Sequence, residues 1–150
     1  MKTFPITDRL VNKISGLTNP LIGKYRKSRL INTDFTIISN NCWAGICYEY
    51  YGLPKLSPTV GLYFFADEYI KFLNNLERYL SIDLRFINVH DSKYCKALID
   101  KKQSNIPIGI LDDVEIVFLH YKDAIIAREK WQRRVERVNW NNMIYKFSYM

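Results

Sequence analysis

The sequence predicts an α/β fold in which one mixed sheet of about five to six strands is flanked by helices within a single layered domain. Short apolar runs rich in β-branched and aromatic residues alternate with segments whose apolar residues recur at helical spacing. Two strand-like runs are separated by Asp112-Asp113, which predicts a hairpin and therefore a sheet that is not entirely parallel. A hydrophobic content of 48% is typical of a chain that folds around a core.

Residues 1–33 are predicted to form a basic leader, separate from the α/β domain over 34–150. The leader carries seven lysines and arginines but a single acid, whereas the rest of the chain holds 15 basic and 14 acidic residues. Apolar residues at helical spacing predict a helix over 7–17. The leader is either a solvated arm or a segment that contacts an anionic membrane surface, a sugar-phosphate or nucleic acid. The nearly neutral domain makes nucleic acid the weakest of these partners.

The α/β domain is predicted to begin with a strand over 35–38 and a helix over 43–51, which Gly52 and Pro54 terminate. The same alternation continues, with further strands predicted over 60–65, 84–89, 106–110, 114–119 and 143–147 and helices over 67–80, 92–102 and 123–138. Because the chain stops directly after the last predicted strand, we expect a domain truncated at its C-terminus.

Several classes of protein are disfavoured by features that the sequence lacks. Three irregularly spaced cysteines make neither a disulfide framework nor a paired metal motif, which favours a cytoplasmic location. No apolar run approaches the ~18–20 residues of a membrane span, and no secretory signal precedes residue 10. Dinucleotide-binding, P-loop and HExxH motifs are also missing, so neither a cofactor nor a metal is predicted.

The junction between the first predicted strand and the following helix is the first candidate site. Cys42 lies where unpaired amides and the positive end of the helix dipole would lower the pKa of a thiol and favour a nucleophilic thiolate. The same amides are suited to an oxyanion or a phosphate, and Asn40 or Asn41 is suited to capping the helix. The alternative is that Cys42 is a small buried residue at a tight turn.

His120 is predicted to act as a general base, because it ends an apolar run at a position where α/β proteins gather functional groups. Asp112, Asp113 or Glu115 is predicted to orient its imidazole, as a third group does in nucleophile–base pairs. Asp113 and Glu115 are two residues apart and therefore share one face of a strand, as paired catalytic carboxylates would. The alternative is that they lie on the exposed side of a hairpin.

Aromatic and amide side chains suggest carbohydrate binding. Aromatic faces pack on sugar rings and amides form hydrogen bonds with hydroxyls, so the predicted substrate-binding residues are Asn40, Asn41, Trp43, Asn139, Trp140 and Asn141. Turn formation and helix capping are the structural alternative for the asparagines. The last predicted helix also carries basic residues that either bind a diphosphate or form a solvated face, namely Arg128, Lys130, Arg133, Arg134 and Arg137.

Five segments in this order resemble a bacterial family labelled as exopolysaccharide-biosynthesis proteins with a domain of unknown function: "FTIISNNCWAG", "GLPKLSPTVGLYF", "YIKFLNNLERYL", "DDVEIVFLHY" and "AREKWQRRVERVNWNNM". The resemblance covers roughly residues 30 to 148 and implies a role in exopolysaccharide or capsule biosynthesis without naming a reaction. One expectation is a glycosyl- or acyl-transferase that acts on a sugar-linked or anionic small molecule. The alternative is a non-catalytic protein that binds glycans or a partner enzyme.

Overall fold

The computed structural model describes residues 21–148 and confirms the mixed α/β class. Most of the leader, including the helix predicted over 7–17, lies outside the described residues. The described residues begin in a helix over 21–28, here α1. The elements that follow are β1 (Thr36–Ser39), α2 (Trp43–Tyr50), α3 (Ala66–Asn74), α4 (Leu76–Ser81), β2 (Arg85–Ile87), a 3-10 turn (Val89–Asp91), α5 (Cys95–Asp100), β3 (Ile108–Leu111), β4 (Val114–Val117), α6 (Ala124–Val135) and β5 (Met143–Lys146).

The strands form two small sheets, so the prediction of one sheet with five to six strands is wrong. β1 and β5 pair in parallel, with Thr36 opposite Met143. β2, β3 and β4 form an antiparallel sheet, in which β3 and β4 are the predicted hairpin. Asp112 turns this hairpin with a φ of 56°, a left-handed conformation that aspartate tolerates better than most residues.

Side chains explain why β1 does not join the larger sheet. The Tyr48 hydroxyl accepts a hydrogen bond from the Ile37 amide and donates one to the Phe35 carbonyl, each at 3.0 Å. The Thr59 hydroxyl in turn accepts from the Ser39 amide and donates to the Ile37 carbonyl. The two hydroxyls thus provide hydrogen-bond partners for the backbone amides and carbonyls along one edge of β1. Because those groups are already paired, no neighbouring strand is required at that edge.

The run over 60–65, predicted as a strand, therefore contributes only an isolated bridge. Tyr63 pairs with Val117 of β4, and the Phe64 amide donates to the Asn40 carbonyl at 3.0 Å. These bonds connect the two sheets through one short segment. That segment brings the end of β1 close to the chain that follows β4.

The main core lies between the antiparallel sheet and the helices α3, α4 and α6. The helix predicted over 67–80 is broken into α3 and α4 at Asn75, whose φ and ψ of −140° and 46° are not helical. Its apolar face is buried as expected, in a cluster that includes Tyr69, Phe72, Leu76, Leu80, Phe118 and Trp131. A second cluster around Tyr48 fixes α2 against β1.

The described part of the leader packs on α2. The Arg26 guanidinium donates to the Tyr50 carbonyl at 3.2 Å and lies 3.7 Å from the centroid of the Tyr50 ring. Gly23 also approaches Gly52 closely, since a Cβ on Gly23 would lie 3.2 Å from the Gly52 Cα. Contact of residues 1–33 with an anionic membrane surface stays a prediction.

We expect Gly109→Ala to lower the free energy of unfolding by about 1–3 kcal/mol, the usual cost of overpacking a core. A Cβ at Gly109 would lie 2.6 Å from Phe118 Cε2 and 2.7 Å from Leu84 Cδ1, and both of these side chains are buried. Urea denaturation followed by circular dichroism measures the change.

Gly45→Ala is the matched control for this substitution. Its Cβ would meet only Val60 Cγ1, at 3.2 Å, and alanine favours a helix interior by about 1 kcal/mol over glycine. We expect its stability to stay within about 1 kcal/mol of the wild type. A Gly109→Ala protein as stable as the wild type would contradict the packing of β3.

Candidate functional site

The junction between β1 and α2 is closed by its own polar side chains. Asn41 Oδ1 accepts from the Trp43 amide at 3.0 Å, and Ser39 Oγ accepts from the Ala44 amide at 3.3 Å. Ser39 Oγ also donates to the Asn41 carbonyl at 2.7 Å. Two amides of the first helical turn thus have partners within the protein, although Cys42 is the N-cap residue by its backbone. Those two amides are not open to an anionic ligand.

Asn40 holds the chain that follows β5. Its side-chain amide donates to the Ser148 carbonyl at 2.7 Å, and its Oδ1 accepts from the Ser148 amide at 2.9 Å. The side chain is buried and lines neither of the cavities at the junction. The predicted contacts with a substrate therefore fall to its neighbours Asn41 and Trp43.

Two cavities meet at Cys42 and Ile46, which line both of them. The first, which we call the apolar cavity, has a volume of about 410 Å³ and is completed by Asn41, Trp43, Tyr63, Lys101, Gln103 and Leu119. The second, the basic cavity, has a volume of about 310 Å³ and is completed by Gly45, Glu49, Lys55, Val60, Gly61, His120, Tyr121, Lys130 and Arg134. The two cavities are therefore neighbours that share part of their lining.

The apolar cavity combines aromatic faces with a few polar groups. Trp43 is 39% exposed, and its side chain reaches the cavity from the first turn of α2. The Tyr63 hydroxyl donates to Gln103 Oε1 at 2.7 Å, while Lys101 Nζ lies 5.8 Å from the centroid of the Tyr63 ring. Such a lining is suited to a ligand with one apolar face and several hydroxyls.

Cys42 and His120, the two residues predicted to form a nucleophile–base pair, both line the basic cavity, but no hydrogen bond joins them in the described part of the chain. His120 is exposed and follows the end of β4, as the sequence predicts. Its amide donates to the Gly61 carbonyl at 3.0 Å. Gly61 has a φ of 79°, and a Cβ there would lie 3.1 Å from Tyr121 Cε2, so a larger residue would strain this wall.

Burial raises the pKa of the Cys42 thiol, which is the opposite of the predicted lowering. Loss of solvent causes this rise, and the amides of Trp43 and Ala44, which would favour a thiolate, already have partners within the protein. This environment disfavours the thiolate that a nucleophilic cysteine needs.

The structure does not bring Asp113 and Glu115 to His120. Hydrogen bonds from Tyr79 and Lys71 hold the pKa of the Asp113 carboxyl below its usual value, at the turn between β3 and β4. Glu115 is buried and accepts hydrogen bonds from the hydroxyl of Ser92 and from the Lys93 amide. Neither acid lines the basic cavity. Their spacing in the sequence correctly places the two acids in or beside the same strand. Their hydrogen-bond partners, however, come from α3, α4 and the segment before α5, and these partners hold them away from the cavity.

The second group of predicted sugar-binding residues lies at the other end of β1. The Asn139 amide donates to Thr36 Oγ1 at 2.9 Å, and the side chain of Asn139 donates to the Asp34 carbonyl at 3.1 Å. The Asn141 amide donates to Asn139 Oδ1, so this run forms a turn before β5. Trp140 is 47% exposed. These residues do not join Asn41 and Trp43 in one cavity.

Most of the lining is not predicted by the sequence, including Tyr63, Lys101, Gln103 and Tyr121. The sequence predicts Arg134 and Lys130 only as basic residues of the last helix. Arg134 follows Ala127 and Trp131 at intervals of seven and three residues, which places it on the buried face of α6. This spacing could have predicted from the sequence that Arg134 is buried.

Residues 21–148 contain no group of three or more His, Cys, Asp or Glu side chains arranged to hold a metal ion. Over the same residues, no helix has both the length and the apolar character needed to cross a membrane.

The fold is that of a small mixed α/β protein with two adjoining cavities at the junction of β1 and α2. The chain belongs to the family described as a domain of unknown function (DUF1919), whose model matches residues 13–150. It is also 31% identical over 122 residues to an uncharacterized protein of Haemophilus influenzae, a match that covers 81% of this chain and 53% of the relative. The chain thus spans about half the length of that relative. The predicted membership of an unknown-function family is confirmed, whereas neither description supports the exopolysaccharide label.

Proposed function

We propose that this protein is a transferase that acts on a sugar-linked substrate in the assembly of a bacterial exopolysaccharide or capsule. The observation that carries the proposal is the placement of an aromatic, hydrogen-bonding cavity directly beside the cavity that holds His120, with Cys42 in the wall between them. The predicted cytoplasmic location fits this role and stays a prediction.

In this proposal the apolar cavity binds the sugar. The rings of Trp43 and Tyr63 offer faces against which a sugar ring packs, and the amides of Asn41 and Gln103 offer hydrogen bonds to its hydroxyls. A few polar groups in a mostly apolar lining fix the orientation of a small ligand. The donor carbon of the sugar would then face the wall shared with the basic cavity.

His120 acts as the general base. Its imidazole takes the proton from an acceptor hydroxyl while the acceptor oxygen forms a bond to the donor carbon. The bond from that carbon to the leaving group breaks, and the leaving group departs with the electron pair. Cys42 stays a neutral thiol and forms no covalent intermediate.

Trp43→Ala should weaken the binding of the sugar about tenfold, because an aromatic contact of this kind contributes roughly 1 kcal/mol beyond its buried area. Calorimetric titration with sugar phosphates and sugar nucleotides measures the binding, and release of the leaving group from the same compounds measures turnover. Trp140→Ala is the matched control, since it removes an indole that lies at the opposite end of β1. Equal loss in both variants, or no binding by any compound of the panel, would contradict the placement of the sugar.

A second candidate is a glycan-binding protein without catalytic activity. Two observations favour it: the raised pKa of Cys42, and the fact that no carboxylate in the described part of the chain pairs with His120. It predicts saturable binding that depends on Trp43 but no turnover with any compound of the panel.

A further inference from the structure

Arg134 is the most unusual charged residue of the basic cavity. It lies on the inner face of α6 beside Trp131, and only 8% of its surface is exposed. A buried arginine ordinarily has a carboxylate partner, because burying an unpaired charge is costly. The ion pairs found within residues 21–148 do not include Arg134.

The guanidinium is held in a fixed orientation by neutral groups. Its Nη1 donates to the Val60 carbonyl at 3.1 Å and to the hydroxyl of Tyr121. The Tyr121 hydroxyl donates to the same carbonyl at 2.6 Å. Neither Nε nor Nη2 forms a hydrogen bond to another residue of the described chain, and Arg134 lines the cavity. An arginine held in this way is preorganised to donate to an oxyanion.

Further cations surround the same space. Lys130 lines the cavity one turn before Arg134 on α6, and its Nζ lies 5.6 Å from the centroid of the Tyr121 ring. Lys55 also lines the basic cavity and forms an ion pair with the exposed Glu49 at 3.3 Å. The charge of Glu49, the one acidic residue of the lining, is therefore balanced by Lys55. Arg134 and Lys130 therefore leave a net positive charge in the lining of the cavity.

We infer that the basic cavity is an anion site that binds the phosphate or diphosphate group of the substrate through Arg134 and Lys130. The inference rests on the proposed function for the identity of the attached sugar, and it narrows the substrate to a phosphate ester. Arg134 supplies directional hydrogen bonds and Lys130 supplies a flexible charge, which together suit a phosphate with several free oxygens.

Calorimetric titration with inorganic pyrophosphate at constant ionic strength tests the inference. Arg134→Lys keeps the charge but loses the planar array of donors, and Lys130→Gln removes the second charge. Each should weaken pyrophosphate binding by about 10- to 100-fold, the usual value of a hydrogen bond to a charged group. Because Lys130 is only half-buried, its substitution is informative even if the Arg134 variant fails to fold.

Arg133→Gln is the matched control, since it removes the same charge from the exposed side of the same helix. It should bind pyrophosphate within about twofold of the wild type, because screened surface charges contribute little. Equal weakening in Arg133→Gln and Lys130→Gln, or no weakening in either cavity variant, would overturn the anion site.

The same variants separate this inference from the proposed transfer reaction. Pyrophosphate binding that depends on Lys130 and Arg134 supports the anion site even when no compound of the panel is turned over. Transfer that continues unchanged in both variants would overturn the anion site and leave the transferase proposal standing.

Discussion

His120→Ala should lower the rate of sugar transfer by about 10²- to 10⁴-fold, which is the usual contribution of a positioned general base. The imidazole lies at an exposed position in the basic cavity, where an acceptor hydroxyl can approach it. Binding of the sugar should stay within a few-fold of the wild type, because the apolar cavity that holds it does not include His120. Initial rates and calorimetric affinities, measured on the same preparations, separate the two effects.

Cys42→Ser distinguishes a mechanism in which Cys42 is the nucleophile from one in which His120 acts as the general base without it. If Cys42 were the nucleophile, its loss would cost as much as the loss of His120, since the two would act as one unit. Because burial raises the pKa of the thiol, we expect Cys42→Ser to retain most of the transfer activity.

For the His120→Ala variant, a transfer rate equal to that of the wild type would contradict the role of His120 as the general base.

The sequence was most informative where a strand ends and a helix begins. The change from an apolar run to polar residues at Asn41, followed by helical spacing from Trp43, correctly predicted where β1 ends and α2 begins. The end of an apolar run at His120 marked the end of β4 in the same way. Cys42 lies shortly after the end of β1, and His120 lies three residues beyond the end of β4. The short segment around Tyr63 links the two regions through hydrogen bonds to Asn40 and Val117. Alternation along the chain was enough to predict these ends.

The division into two sheets could not be predicted from the same alternation. It depends on Tyr48 and Thr59, whose hydroxyls satisfy the edge of β1 from positions 11 and 22 residues beyond Ile37. A buried tyrosine in a helix predicts packing, but its hydrogen bond to a distant strand edge is set only by the tertiary structure. The separation of Asn139 from Asn41 follows from the parallel pairing of β1 and β5, which places the residues before β5 at the start of β1 and Asn41 beyond its end.

The partners of the charged residues could not be predicted from their spacing, and their burial could not be predicted from composition alone. Asp113 and Glu115 share a strand register, yet one ends in an exposed turn and the other is buried against the segment before α5. Arg134 is one of several basic residues on α6, and its burial follows from its alignment with Ala127 and Trp131. Composition alone cannot distinguish it from Arg133, which is exposed.

We expect the free energy of unfolding to fall as the pH rises from about 10 to about 12. Burial raises the pKa of Tyr48 to about 12 and that of Tyr63 to about 12, and it also raises the pKa of Tyr69. An unfolded tyrosine has a pKa of about 10, so the unfolded chain loses these protons first. The stabilisation is complete below pH 10 and is lost through pH 12, at up to about 1.4 kcal/mol per pH unit for each phenol. Urea denaturation at a series of pH values measures the slope.

Tyr48→Phe tests how much of this slope belongs to one phenol. At pH 8 it should lower the free energy of unfolding by about 1–3 kcal/mol, because the Ile37 amide and the Phe35 carbonyl lose their partner inside the protein. Between pH 10 and pH 12 the variant should lose stability less steeply than the wild type, since it has one titrating phenol fewer. The two stability curves should therefore approach each other at high pH. Parallel curves would show that Tyr48 does not keep its proton in the folded state, which would contradict the hydrogen bond it donates to β1.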